Sequence, residues 1–194
     1  MVCATVIRSA TYRRMPWKNG GGETVEIAVS PEGAALAEFD WRVSMATVAT
    51  DGPFSIFTGI DRTLSILEGN GMSLAIDGKA PVLLTGTSDP LAFPADVAVS
   101  AKLPDGPITD LNVMTRRQSL RHTVDRLVVD PSATVRLSTP TFLLLCRGAP
   151  LAVEWNDQRA DLKADDTLLL EGAEDTDIRL VGEATCFVIS IGSI

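Results

Sequence analysis

The sequence is poor in the residues that build metal and acid–base centres, since it has one histidine, His122, among 194 residues. Imidazole is the commonest metal ligand and the side chain that titrates nearest to neutral pH. A metal site with two histidines from one chain is therefore excluded. We expect no bound metal and no cofactor.

Cysteine is also scarce. Cys3, Cys146 and Cys186 are odd in number and far apart, and no C-x-x-C pair occurs. This excludes a zinc ribbon and a disulfide framework. We interpret all three as reduced thiols of a cytosolic protein, with Cys146 and Cys186 as small buried hydrophobes.

Long apolar runs and positive charge are lacking as well. No stretch approaches the roughly 18 apolar residues of a membrane helix, and the N-terminus lacks the apolar core of a signal peptide. The 25 acidic residues outnumber 17 Lys and Arg, for a net charge of −8. Such a field repels nucleic acid but leaves room for a local cationic pocket that holds a small anionic metabolite. We expect a soluble cytoplasmic protein that binds neither nucleic acid nor membrane.

What the sequence has is many short apolar, β-branched runs separated by Gly, Pro, Asn and Asp. This pattern predicts an all-β sandwich or barrel, with strands such as Trp41–Val48, Met72–Ile76 and Leu151–Trp155. The best helix candidate is Pro31–Glu38, with Ser30 as its N-cap.

A self-comparison indicates an internal duplication. Residues 64–78 align with residues 142–156 at an offset of about 78 residues, and residues 82–93 align with 160–170. The repeated unit resembles the cupin repeat, two hairpins around a central pocket. The resemblance implies an RmlC-like jelly roll with two barrel halves in one compact bicupin. We place the halves at residues 1–120, which hold the pocket, and 121–194.

The densest polar segment is residues 15–27, MPWKNGGGETVEI. Three successive glycines allow backbone N–H groups to approach an anion, while Lys18 and Asn19 add side-chain donors. No phosphate-loop signature occurs here. The segment is either a ligand-facing loop or a hairpin on which Trp17 packs as a lid.

Two later strands carry polar stripes. Alternation puts Arg42, Ser44, Ala46 and Val48 on one face of their strand, so Arg42 either enters a pocket or lies in solvent. Asp110, Asn112 and Met114 share a face of the second strand. Asp and Asn inside a barrel need an internal network or a polar ligand.

Four blocks together resemble the HutD family, which includes the Ves proteins and is linked to bacterial histidine utilisation. They are MPWKNGGG with Thr24 and Glu26; WRVSMA from Trp41; DGPFS from Asp51 with Gly59-Ile-Asp-Arg; and DLNVMTRR from Asp110. The resemblance implies a regulatory role rather than a reaction. It also implies ligand-site or site-shaping roles, and no catalytic ones, for Trp17, Lys18, Asn19, Gly20, Gly21, Glu26, Arg42, Ser44, Arg62, Asp110, Asn112 and Arg116.

Three functions remain open. The favoured one is a non-enzymatic binder of a small carboxylate, by pathway logic urocanate, formiminoglutamate or formylglutamate. The second is a metal-independent isomerase, epimerase or hydrolase using Glu26 and Asp110 as acid and base. The third is an interaction protein that contacts a partner, or a second copy in a homodimer, through open barrel edges or Trp155.

Overall fold

The computed structural model describes residues 2–18 and 20–194. The described residues are almost entirely β structure, with one helical segment, the 3₁₀ turn Ser9–Thr11. None of their helices is long and apolar enough to span a membrane. The strands in chain order are β1 (Cys3–Ile7), β2 (Arg13–Pro16), β3 (Gly22–Ser30), β4 (Trp41–Val48), β5 (Gly52–Pro53), β6 (Ile60–Glu68), β7 (Met72–Ile76), β8 (Val82–Leu84), β9 (Leu91–Pro94), β10 (Val99–Lys102), β11 (Ile108–Arg116), β12 (Leu120–Val129), β13 (Ser132–Arg136), β14 (Thr141–Arg147), β15 (Leu151–Trp155), β16 (Gln158–Leu162), β17 (Thr167–Glu171), β18 (Asp177–Val181) and β19 (Ala184–Ser193).

The chain forms two compact units. The N-terminal unit comprises Arg13–Arg121 with Ile194, and the C-terminal unit comprises the segment up to Tyr12 with His122–Ser193. The predicted division at residue 120 therefore needs a correction at the amino terminus. β1 leaves the N-terminal half because it pairs antiparallel with β17, and Tyr12 Oη lies 2.8 Å from Thr167 Oγ1.

Each unit contains two antiparallel sheets. In the N-terminal unit their strand orders are β2-β3-β4-β11-β6-β9 and β5-β10-β7-β8. In the C-terminal unit the orders are β1-β17-β14-β19-β12 and β13-β18-β15-β16. The predicted all-β, cupin-like architecture accounts for this pattern of short antiparallel strands.

The predicted repeat corresponds to a shared pairing scheme. In the N-terminal unit β6 pairs with β9 and β7 with β8, while in the C-terminal unit β14 pairs with β17 and β15 with β16. Both units thus nest one hairpin inside another across two sheets.

The interiors of the two units differ in polarity. The C-terminal unit is filled by an apolar cluster that includes Phe142, Leu144, Val153 and Trp155. The N-terminal unit has a cluster around Leu64, Met72 and Leu74 and a smaller one around Phe39. Its remaining interior is polar, as described below.

The predicted helix Pro31–Glu38 is wrong. This segment forms turns, and Gly33 has a φ of 74°. That left-handed conformation interrupts helical hydrogen bonding, and glycine adopts it without steric cost.

Candidate functional site

A cavity of about 680 Å³ opens in the N-terminal unit, bounded largely by its six-stranded sheet. Its polar wall comes from alternate positions on β4, β6 and β11. Register explains the grouping, because Ser44 lies opposite Asn112 and Arg62 lies opposite Met114. Residues opposite each other in antiparallel strands point to the same face of the sheet.

Arg42 takes the cavity side of β4, which decides the alternative that alternation left open. Its Nε donates to Glu26 Oε2 at 2.7 Å, and its Nη1 lies 3.4 Å from Ser44 Oγ. Both partners of the ion pair are nearly buried, with side-chain exposures of 7% and 10%. Glu26 thereby compensates and orients a cation that would be costly to bury alone.

Arg62 is the second buried cation. It is 6% exposed, and its Nε has no hydrogen-bond partner among the described residues. Its Cζ lies 5.3 Å from the ring centroids of both Phe54 and Phe57 and 6.0 Å from that of Phe93. Aromatic faces attract a guanidinium, although they do not satisfy its N–H groups. Burial lowers the pKa of Arg62 to about 10; Arg42 adds to the decrease and Asp110 opposes it.

Asp110 is 1% exposed, and its Oδ1 accepts a hydrogen bond from Asn112 Nδ2 at 2.6 Å. Burial raises the pKa of its carboxyl to about 7. The charge of Arg62 and hydrogen bonds from Asn112 and the Ala46 backbone act in the opposite direction. The polar stripe predicted on this strand therefore consists of Asp110 and Asn112, which are hydrogen-bonded to each other and line the cavity.

Trp17 forms part of the wall and is fixed from two sides. Its indole Nε1 donates to Thr24 Oγ1 at 2.8 Å, and its backbone N–H donates to the Gly22 carbonyl at 2.9 Å. A Cβ on Gly22 would stand 2.1 Å from the Thr47 carbonyl oxygen and 3.0 Å from the Trp17 ring. Gly22 thus allows the indole to pack closely.

Most of the predicted site residues lie together. Trp17, Lys18, Arg42, Ser44, Arg62, Asp110 and Asn112 line the cavity, with Lys18 exposed to solvent. Glu26 acts behind Arg42. Asn19 lies outside the described residues.

Three predicted residues stand apart from the cavity lining. Gly20, with a φ of 70°, makes the turn after Trp17, and the Gly21 carbonyl accepts from the Ala49 N–H. Arg116 Nη2 donates to the Phe39 carbonyl at 2.7 Å, so it ties down a loop. In these positions the three residues shape the walls rather than line the space.

Sequence reasoning missed the apolar part of the wall. Phe54, Phe57, Leu36, Met15, Pro16 and Pro53 line the cavity together with Thr24, Ser55 and Met114. Strand alternation placed Met114 on the face of Asp110, but Met114 was not among the predicted site residues. Leu36, Phe54 and Phe57 come from turns and loops, where no periodicity marks the inward side.

In the part of the chain that the structure describes, no group of three or more His, Cys, Asp and Glu side chains is arranged to hold a metal ion. The cavity offers two guanidiniums, the ammonium of Lys18, one buried carboxyl, one amide and three hydroxyls beside aromatic rings. This arrangement can bind an anion with an apolar or unsaturated body.

Comparisons with known proteins identify a family. The HutD family model matches residues 9–188. The chain is 35% identical to an uncharacterized 21.2 kDa protein in the hutC 3′ region of Pseudomonas putida, over 88% of each chain. It is 40% identical to protein Ves of Citrobacter koseri over 54% of this chain and 56% of that one.

Solved structures agree with these matches. A conserved protein of unknown function from Pseudomonas aeruginosa PAO1, PA5104, superposes with a TM-score of 0.92 at 34% identity, covering 98% of this chain and 99% of that one. HutD from Pseudomonas fluorescens SBW25 gives 0.84 at 32% identity, covering 99% and 100%. Salicylate 1,2-dioxygenase from Pseudoaminobacter salicylatoxidans, at 9% identity and a TM-score of 0.64 over 97% and 81% of the two chains, shares the fold alone.

Proposed function

The chain belongs to the HutD family, and we propose that it is a non-enzymatic regulator or modulator of histidine utilisation. It binds a small carboxylate, such as urocanate or formylglutamate, in the cavity of its N-terminal unit. The predicted resemblance is confirmed by the family match and by the relatives named HutD and Ves. The cavity supplies the physical support for the ligand.

The proposal rests mainly on the burial of Arg62, whose Nε has no hydrogen-bond partner among the described residues. A buried donor without a partner costs about 1–3 kcal/mol, and more when the group is charged. A ligand that reaches the Arg62 guanidinium through the cavity would offset part of this cost. A carboxylate is the natural complement of a guanidinium, because its oxygens accept charge-assisted hydrogen bonds from the N–H groups.

The remaining wall supports a ligand larger than the anionic group itself. The cavity volume of about 680 Å³ falls within the range typical of small-molecule sites. Trp17, Phe54 and Phe57 offer aromatic surface, while Ser44 and Asn112 offer neutral polar groups. A carboxylate joined to an unsaturated or amide-bearing body matches this combination.

One observation favours the second candidate, a metal-independent enzyme. The pKa of Asp110, raised to about 7, is suited to general acid–base catalysis. The other half of the predicted pair is less suited, because Glu26 is engaged with Arg42. Asp110 would have to act with a group of the substrate.

Isothermal titration with formylglutamate and with urocanate tests the binding proposal. We expect saturable binding by the wild type and an affinity about 10- to 100-fold weaker for Arg62→Gln, since a charge-assisted hydrogen bond is lost. Arg121→Gln is the matched control, because Arg121 is exposed and does not line the cavity. Absence of binding at millimolar ligand, or equal affinities for the two variants, would contradict the proposal. Product analysis of the same mixtures tests the enzyme candidate.

A further inference from the structure

Asp110 differs from the other carboxyl near the cavity in how it is compensated. Glu26 is paired with Arg42 at 2.7 Å, whereas the Asp110 side chain accepts hydrogen bonds from neutral groups, the amide of Asn112 and the backbone of Ala46. Asp110 is also the more deeply buried of the two. Its environment therefore disfavours the ionised form.

Four charged side chains line the cavity with Asp110 or lie behind its wall. Arg62 lies on β6, Arg42 on β4, Glu26 on β3 behind Arg42, and Lys18 at the exposed margin of the cavity. Since Glu26 compensates Arg42, Arg62 is the buried guanidinium more available to a negative group. A ligand carboxylate and an ionised Asp110 would compete for it.

Two carboxylates that share one site do not both remain ionised, because their repulsion in a poorly solvated space raises the pKa of one of them. The pKa of Asp110 already stands near 7 without a ligand, as a result of burial. A second negative charge beside Arg62 raises it further. The proton then resides on Asp110, because ionisation of a buried carboxyl costs more free energy than ionisation of an exposed one.

We propose that Asp110 is a proton-donating binding residue: the ligand carboxylate lies between the guanidinium of Arg62 and the protonated carboxyl of Asp110. A protein molecule in which Asp110 is ionised therefore takes up one proton when the ligand binds. This inference rests on the proposed function, since it assumes that the cavity holds a carboxylate. No covalent bond of the ligand changes. The proton comes from solvent and forms the O–H that Asp110 donates to the ligand oxygen.

The inference sets the kind of ligand that the cavity accepts. An anion that offers acceptor oxygens to both Arg62 and Asp110 satisfies two donors at once. A ligand that presents a cationic nitrogen to Asp110 would require the ionised carboxylate and would bind without proton uptake. The two modes therefore differ in the sign of their pH dependence.

Isothermal titration of the wild type with formylglutamate, between pH 6 and 8.5 and in buffers of different ionisation enthalpy, measures the proton count directly. We expect an uptake of about half a proton at pH 7, approaching about one at pH 8, with the affinity falling up to about tenfold per pH unit above pH 7. Asp110→Asn is expected to bind with no uptake and with an affinity that is independent of pH in this range. Asp89→Asn, the same change at an exposed site outside the cavity, retains the wild-type linkage.

The outcomes separate this inference from the proposed function. Binding by the wild type without proton uptake, or with an affinity that rises with pH, overturns the role of Asp110 and leaves the carboxylate site standing. Absence of binding at every pH overturns both. If Asp110→Asn fails to fold, the buffer series on the wild type decides alone.

Discussion

Glu26 Oε2 accepts a hydrogen bond from Arg42 Nε at 2.7 Å, and the side chains of both residues are nearly buried. The pair joins β3 to β4 and leaves the Arg42 guanidinium facing the cavity. An acidic protein thus keeps a cation in its interior through a carboxylate placed behind it.

Removal of the Glu26 charge should destabilise the fold. Glu26→Gln leaves Arg42 buried without its counterion, and we expect a loss of about 3 kcal/mol in the free energy of unfolding, measured by urea denaturation. The control is Glu23→Gln on the same strand, whose pair with Arg14 is exposed and should contribute below about 1 kcal/mol. Equal losses in the two variants would show that the buried pair contributes no more to the free energy of unfolding than the exposed pair does.

The burial of Asp110 makes stability depend on pH. Its folded-state pKa of about 7 exceeds the ordinary value of an aspartate, so the folded protein binds the proton more tightly than the unfolded chain does. The stability that this provides is complete below about pH 4 and is lost as the pH rises towards 7. We expect Asp110→Asn to match the wild type near pH 4 and to exceed it by a few kcal/mol at pH 8, by denaturation at both pH values. A wild type that stabilises relative to the variant over this range would refute the assignment.

Arg62 should serve binding at the expense of stability. Arg62→Met removes a buried charge with an unpartnered Nε and keeps an apolar chain against Phe54 and Phe57. At pH 6 we expect a free energy of unfolding equal to or above that of the wild type, together with an affinity for formylglutamate at least about tenfold weaker. Arg121→Met, at an exposed position, should change neither quantity appreciably. Loss of both stability and binding would indicate a structural role for Arg62.

Gly22 should tolerate no side chain. Gly22→Ala places a Cβ against the Thr47 carbonyl and the Trp17 ring, and the strand or the indole must move. We expect a loss of about 1–3 kcal/mol and a shifted NMR signal of the Trp17 indole N–H. Gly86→Ala serves as the comparison, because nothing lies within 4 Å of a Cβ there. An unshifted indole signal would mean that Gly22 does not position Trp17.

The three thiols should differ in reactivity. Cys3 is exposed, while Cys146 and Cys186 are buried in the C-terminal unit. We expect a thiol reagent to modify Cys3 in the native protein and to reach all three cysteines only in denaturant. Rapid modification of Cys186 under native conditions, detected by peptide mapping, would show that this interior opens readily.

Much of the fold could be predicted from the sequence because its strands are short, alternating and bounded by turn residues. β4, β7 and β15 have the predicted ends. β16 was missed because Gln158–Leu162 is largely polar, and β9 because it is short and ends in Pro94. β9 and β16 are stabilised by pairing with neighbouring strands, and the local sequence does not reveal this pairing.

The site was predictable only where a strand or a family motif marked it. The resemblance marked Arg62 as a site residue. The Asp61-Arg62 pair in the sequence does not show which of the two side chains faces the cavity. In the structure Asp61 accepts from Arg117 Nε at 2.7 Å, whereas Arg62 turns into the cavity. The choice between the two faces of β4 likewise depended on tertiary packing. Local sequence specifies alternation and leaves the buried side to the rest of the chain.

The two units should differ in how readily their backbones open locally, because one interior is apolar and the other is partly polar. The C-terminal unit closes over Phe142, Leu144, Leu168 and Leu180, all fully buried, whereas the N-terminal unit keeps Arg62 and Asp110 inside. Local opening needs the least free energy where fewer apolar contacts are broken. Backbone amides of β4, β6 and β11 should therefore exchange their hydrogens faster than those of β14 and β19. We expect the N-terminal unit, which holds the polar cavity, to open more often than the C-terminal unit, and a molecule bound in the cavity to slow this exchange.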